Sequence, residues 1–480
     1  MPTLVLVIWP IIAIVLFSRL GLVKGLIMSA YIGYLSLPEN FAVPIPGFLD
    51  YDKTGAISLG ILLGIWVVGR AARQSVNIAN STVDSRFLQI MVMGCVTLLL
   101  LGVVVTWMTN REPLIYAVQF IPAIRLYDVV SLAGKLALLL TPFFLARRYL
   151  ATAGHHRSLL IAALSTGLFY SVLALWEIRM SPQLHIMLYG YFQHDFAQHV
   201  RNGFRPVVFL DHALSLAFFL VTALLAAIAL ARQTSGKERT IYLWSALWLY
   251  IVLILAKSFG AIFLGTVFGV MVLFLNARLL IRISAVVALV FLVFPAARQA
   301  NIVPIDTFIT VSNSINADRV GSFEFRLRQE DAILARALEK PVAGWGPWAR
   351  WRVRDERGRD STTADGLWII VLGERGWIGY IGFFGLLVLP VVMLTRTGRR
   401  REVNIETAGL SVIMMANLVY LVPNSTLSPV AWLITGSIAG FVQYNQPAAK
   451  KNSVEEASDA VPARGGNRYS RFQPRHRRLS

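Results

Sequence analysis

The chain is poor in charge and almost without cysteine. Charged residues make up 15% of its 480 positions, against about 25% in soluble proteins. With 56% hydrophobic residues and a mean hydropathy of +0.62, this excludes an ordinary soluble globule. The single cysteine, Cys95, excludes internal disulfides and a thiolate metal cluster. Acidic residues are scarce, 26 against 45 Lys and Arg, for a net charge of +19. The basic residues fall in short clusters between apolar runs, as the positive-inside rule distributes them, so nucleic acid is not an expected partner. Residues 1–18 lack a basic start and a small-residue cleavage site, so they are expected to stay as a first span. No internal repeat of the kind that marks inverted-repeat transporters is present.

What the chain does have is apolar runs, at 3–18, 20–37, 54–69, 88–107, 131–146, 158–175, 207–231, 240–256, 259–276, 283–297, 367–394, 405–422 and 428–444. A perpendicular span needs about 20 residues, so the expectation is an all-α, polytopic bundle of twelve or thirteen membrane helices. Residues 1–297 hold the first ten spans, 298–366 a large outer loop, and 367–444 the last spans. Residues 445–480 form a basic tail whose composition reads as disordered and drawn to anionic lipid. Basic joints alternate with longer, less basic ones at 38–53, 108–130, 177–206, 298–366 and 423–427. With thirteen spans this places the N-terminus outside and the C-terminus in the cytoplasm.

The longest polar interval carries the sharpest signals. From Ser322 to Lys340, Phe323, Leu327, Leu334 and Leu338 share one helical side. Ser322 suits the cap and Pro341 the stop, giving an amphipathic helix along the bilayer or over a cavity. Arg326 and Arg328 point about 200° apart, so only one can face a buried site; Arg326 could instead pair with Glu330. A second helix is expected from Thr362, with Asp365 in a capping-box position; there Asp365 is either a cap or an ionised base. Glu374 lies about 13 Å further along a helix, so the two are no dyad. Arg350, Arg352, Arg354, Arg357 and Arg359, interleaved with acids, read as a solvated surface.

Other loops offer further candidates. The 177–206 loop mixes Arg179, Arg201 and Arg205 with Tyr189, Tyr191, Phe192, Phe196 and Phe204. Arginine forks hold phosphate and aromatic rings stack on sugars; an aromatic belt with snorkelling arginines is the plainer reading. His194 and His199 are five apart, which does not put two ligands on one helix face, so a zinc site is not expected. Asp211 and His212 lie at the start of a span, where ionisable groups are functional or cap a helix. Lys257, in AKSFGA, could set a cation at the outer mouth, where Gly260 would allow close helix approach. Asp50 and Asp52 form a D-x-D pair that could hold a divalent cation or simply end a solvated loop.

The K-S-x-G-A turn, then R-x3-E with ALEKPVAGWG, then ADGLWIIVLGERGWIG resemble the O-antigen ligase and O-antigen/exopolysaccharide polymerase superfamily, most closely over 254–394. The MSPQLH…GYF…RNGFRP and PIPGFLDYDK loops are similar to exopolysaccharide-polymerase-type members. The resemblance implies a bacterial inner-membrane glycosyltransferase without metal or cofactor. Such enzymes move a glycan from undecaprenyl diphosphate to a sugar hydroxyl on the outer side, with an acceptor glycan and a chain-length regulator as partners. The family's essential loop arginine falls on Arg326, and Phe259 stands where its S-R-G-A turn carries arginine, with Lys257 as a substitute. Asp365 stands where ligases place histidine, which favours a polymerase. Arg326 and Asp365 are the expected catalytic pair, with Lys257, Arg205, Arg201, Arg179, His212 and Arg328 toward substrate. A lipid-linked glycan flippase, or a metal-dependent polyprenyl-monophosphate glycosyltransferase using Asp50 and Asp52, is the alternative.

Overall fold

Helices form at every apolar run. In the computed structural model, which describes residues 1–45, 49–72, 83–200, 203–302, 317–400 and 402–444, they are α1 (Pro2–Ser36), α2 (Lys53–Ala72), α3 (Val83–Thr109), α4 (Leu126–Tyr149), α5 (Ala153–Met180), α6 (Leu184–Tyr189), α7 (Ala213–Gln233), α8 (Gly236–Leu255), α9 (Phe259–Phe274), α10 (Ala277–Gln299), α11 (Ala317–Leu338), α12 (Leu367–Arg400), α13 (Ile405–Tyr420) and α14 (Pro429–Tyr444). Among the described residues, eight are long and apolar enough to cross a bilayer; the chain is an all-α, multi-pass membrane protein. The only strand pairs among those residues are two short antiparallel ones, β1 (Ala42–Val43) with β2 (Tyr51–Asp52) and β3 (Leu114–Ile115) with β4 (Phe120–Ile121). The tail expected to be disordered lies outside the described residues.

The runs 3–18 and 20–37 are the two arms of α1. Gly21, at φ +73° and ψ 179°, breaks the helix. A Cβ on Gly25 would lie 2.8 Å from the Phe17 Cα, and one on Gly33 2.9 Å from the Trp9 ring. Positions equidistant from Gly21 therefore meet, and the arms run antiparallel as a hairpin that only glycine turns without strain.

α7 is the core. Every residue from Ala213 to Ala231 except Leu214 is buried, the pattern of a helix that is apolar all round. Its N-terminus lies beside the 38–53, 177–206 and 423–427 loops. Its start at Ala213 corrects the expected run of 207–231, because His212 caps it and Val207–Leu210 form a turn.

α11 begins at Ala317, so Ser322 lies inside it rather than capping it; nothing in Ala317–Gly321 breaks a helix. Its apolar side buries Ile333, Leu334 and Ala337 against α12, and the buried Arg298 at the end of α10 holds Asp331 at 2.7 Å. α12 starts at Leu367, not Thr362. The expected capping box is replaced by tertiary partners: the Leu367 N–H donates to the Leu421 and Asn424 carbonyls at 3.1 and 3.0 Å. Asp365 is thereby left outside the helix, free of a capping role.

The two glycine-rich motifs of the polar interval meet each other. α12 is broken at Gly376 (φ +60°). Trp345 and Gly346 donate to the Gly373 and Glu374 carbonyls, both at 2.9 Å, while Trp377 and Ile378 donate to the Pro341 and Val342 carbonyls at 2.7 and 3.1 Å. A Cβ on Gly344 or Gly376 would sit within 2.6 Å of the opposing backbone, so both glycines are required by close approach as well as by positive φ. Arg350 departs from the expected solvated surface. It is 1% exposed and donates to the carbonyls of Trp345, Pro122 and Glu112 at 3.2, 2.7 and 2.9 Å, tying this interval to the 108–130 loop. Arg354 departs too: its side chain is 6% exposed and holds Asp360 and the Gly358 carbonyl, each at 3.0 Å, whereas the more open Arg352 and Arg359 pair with Asp360 and Asp355.

Candidate functional site

The Arg326 Nε lies 3.1 Å from the Asp365 Oδ2, with the two side chains 49% and 35% exposed. The pair is formed yet open to a ligand. α11 supplies the guanidinium and the residue just ahead of α12 the carboxylate. Arg328, two positions on, is exposed, in keeping with the 200° divergence. Glu330 does not lie in solvent as a simple partner for Arg326: it is 8% exposed. Burial, opposed by Arg298 and reinforced by Asp331 and Asp365, raises its carboxyl to about 7. The i,i+4 ion-pair rule does not anticipate this burial, since that rule assumes an exposed face.

The 177–206 loop supplies a second group. Glu177, 1% exposed, accepts from the Val207 and Val208 N–H groups at 2.7 Å each and from Leu184 N–H at 3.1 Å. It holds Val208 at φ +58°, a conformation a β-branched residue rarely adopts. The Arg205 N–H donates to the His199 carbonyl at 2.9 Å, beside a Val200–Phe204 bridge. Lys257, at φ +56° in the turn between α8 and α9, reaches this hairpin: a Cβ on Gly203 would lie 2.5 Å from its Nζ. The space expected at Gly260 is not used for close helix approach, because nothing lies within 4 Å of its Cβ position.

Three histidines converge there. Ring centroids of His194, His199 and His212 lie 4.7–5.4 Å apart, and one ligand-type atom from each falls within 4.8 Å of the others. His194 and His199 do not share an α-helix: His199 ends a 3-10 turn, and His212 arrives from the cap of α7. Nothing local in the sequence signals that meeting. Burial, His194 and Arg205 depress His199 to about 4. Burial, then His199, His194, Arg205 and Arg326, depress His212 to about 3, so Arg205 and Arg326 both lie within electrostatic reach of it.

Next to His212, Asp211 lines a cavity of about 400 Å³, within the roughly 300–1,000 Å³ range of small-molecule sites. Its wall includes Tyr34, Asn40, Asp52, Ser425 and Thr426, and the part-buried Glu39–Lys53 pair at 2.5 Å. The cavity wall thus carries hydroxyl, amide and carboxylate groups together with the Lys53 ammonium, which Glu39 holds.

Other expected residues lie elsewhere. Arg179 is exposed in the last turn of α5, and Arg201 lies outside the described residues. The loop aromatics serve as pegs more than as stacking faces: the Tyr191 hydroxyl donates to the Glu39 carbonyl at 2.6 Å, Tyr189 to that of Ser36, and His185 Nδ1 meets the Tyr191 carbonyl at 2.8 Å. Asp50 faces Lys135 at 3.6 Å, whereas Asp52 accepts from Gly55 N–H at 2.8 Å, so the D-x-D carboxylates hold different partners. No family model and no curated protein matches the chain.

Proposed function

We propose that the chain is a bacterial inner-membrane glycosyltransferase that polymerises or ligates glycan units carried on undecaprenyl diphosphate, on the periplasmic side, without metal and with inversion at the anomeric carbon. The observation that carries this reading is the half-exposed Arg326–Asp365 contact at 3.1 Å, set beside the cationic loop group and a polar cavity. As the sugar–phosphate bond breaks, the lipid diphosphate leaves with growing negative charge; Arg326, with Arg205 and Lys257, stabilises it. The diphosphate competes with Asp365 for the Arg326 guanidinium, so donor arrival frees the carboxylate to accept the proton of the attacking hydroxyl. The acceptor hydroxyl comes from the Asp211 cavity, whose hydroxyls and carboxylates suit a sugar and whose cation, Lys53, is held by Glu39. α11 closes over both and limits hydrolysis.

The test is polymer length from lipid-linked repeat units in membranes carrying Arg326→Ala. Loss of long chains supports the reading, and normal polymer from well-expressed variant removes it. Movement of the lipid-linked unit across the bilayer without a change in chain length would mark a transporter instead.

A further inference from the structure

We propose that His194, His199 and His212, together with Arg205, form a phosphoryl-oxyanion site that takes up a proton from water each time a diphosphate binds. For the identity of its natural ligand this rests on the function proposed above; the chemistry of the site stands on geometry.

His199 is 0% exposed, and neither of its ring nitrogens has a hydrogen-bond partner among the described residues. A neutral imidazole carries one donor and one acceptor, and leaving both unmet in the interior is unfavourable. The groups around it show what would satisfy them. The Leu214 N–H donates to His212 Nδ1 at 3.0 Å. That bond fixes the His212 tautomer: Nδ1 keeps its lone pair, so Nε2 carries the hydrogen and acts as a donor. A metal ion needs a lone pair at Nε2, so the cap works against the three-histidine metal site that the proximity of the rings alone would suggest. The surrounding charge is of the same sense. Arg205 and Arg326 reach His212, and Arg205 reaches His199. Asp195, the one carboxylate among the described residues that acts on His199, is occupied with Ala197 N–H at 3.1 Å and Gln198 at 3.5 Å. A cation would be repelled here; an oxyanion would meet N–H donors and guanidinium groups together.

Proton uptake follows from the charge. Without a ligand, burial and the neighbouring cations hold His199 near 4 and His212 near 3, so both are neutral at neutral pH. A nearby opposite charge raises a group of this kind by about 1–3 pKa units, and a diphosphate brings more than one charge. His199 then enters the range between pH 5 and 7, and once protonated it donates from both ring nitrogens. Because the bound state has the higher pKa, the added affinity is present at low pH and is lost as pH rises through that bound-state value.

The test uses full-length protein in detergent, with chelator present and inorganic pyrophosphate as the probe, titrated calorimetrically at about pH 6 and about pH 8 in buffers of different ionisation heat. His199→Gln keeps a neutral donor but cannot titrate, and it subtracts the probe's own protonation. The expected result is a gain in wild-type affinity toward pH 6 that exceeds that of His199→Gln by about twofold for a bound-state value near 6 and about tenfold for one near 7, with matching proton uptake. His212→Asn, which keeps the cap and removes the Nε2 donor, weakens binding at both pH values. Equal pH dependence in wild type and His199→Gln, or no pyrophosphate binding at either pH, overturns the proposal. So does a cobalt(II) absorption band that disappears in His199→Gln, which would show a metal site. No glycan takes part, so proton-linked binding without polymerising activity would leave this inference standing and remove the proposed reaction; activity without proton-linked binding would do the reverse.

Discussion

The Glu177 carboxylate sets the shape of the loop that carries His199 and Arg205, so Glu177→Gln should loosen that loop while leaving side-chain volume unchanged. In the native site one oxygen takes two backbone N–H groups at 2.7 Å and the other takes one at 3.1 Å. The amide can turn its oxygen to Val207 and Val208, but its NH2 group then faces the Leu184 N–H. An orphaned buried donor is unfavourable by about 1–3 kcal/mol, and loss of charge assistance on the other two bonds adds about 1 kcal/mol. The restraint on Val208 at φ +58° is weakened too, and a residue held in such a conformation stores about 1–3 kcal/mol that favours release. The hydrogen-bond contributions alone, about 2–4 kcal/mol, correspond to roughly 30- to 700-fold faster local opening. Hydrogen–deuterium exchange in detergent reads this directly: peptides spanning 184–189 and 203–210 should lose protection, while the buried α7 peptides should not. Exchange of both loop peptides within about threefold of wild type, in a variant that melts normally, would refute the argument that this carboxylate holds the loop.

Further outcomes follow from the same geometry. Gly376→Ala should be strongly destabilising, because it adds a Cβ 2.5 Å from the Ala343 backbone nitrogen at φ +60°. Gly260→Ala meets nothing within 4 Å and should leave the melting temperature unchanged or raised, by up to about 1 kcal/mol of stability; detergent thermal melts compare the two. Glu330, raised to about 7 by burial, stabilises the fold most fully below its ordinary carboxylate value of about 4.3, and that contribution is lost as pH rises through about 7. Wild-type melting temperature should therefore fall between about pH 6 and pH 8, and Glu330→Gln should flatten the profile; parallel profiles would contradict the assignment. Arg328→Ala should retain at least about half of wild-type product, whereas Arg326→Ala should lose about 100-fold or more, by yield from lipid-linked substrate.

Much of the architecture was legible in the sequence because membrane helices announce themselves by local composition. Each apolar run became a helix, including the two arms of α1 on either side of Gly21. Helix starts were less legible, since tertiary partners replaced local caps. Leu367 is capped by carbonyls of the 421–424 segment and not by Thr362, and this moved Asp365 from a capping role to the side chain of Arg326. The same limit hid Arg350, whose buried partners lie on the 108–130 loop, more than 200 positions away in sequence. The meeting of Arg326 with Asp365 agrees with what the motif order suggested, whereas the histidine cluster does not emerge from any spacing rule. His194 and His199 join His212 only because Glu177 and Gln193 fold their loop back over the cap of α7: Gln193 Nε2 donates to the Val208 and Leu210 carbonyls at 3.1 and 2.8 Å.

The most direct test of the central claim is polymerisation by purified protein in liposomes supplied with a defined undecaprenyl-diphosphate-linked repeat unit, with products resolved by length. Wild type should convert donor to long chains in the presence of chelator, while Arg326→Ala and Asp365→Asn, inserted to the same level, should leave the donor unextended. Full-length polymer from either variant would contradict the account.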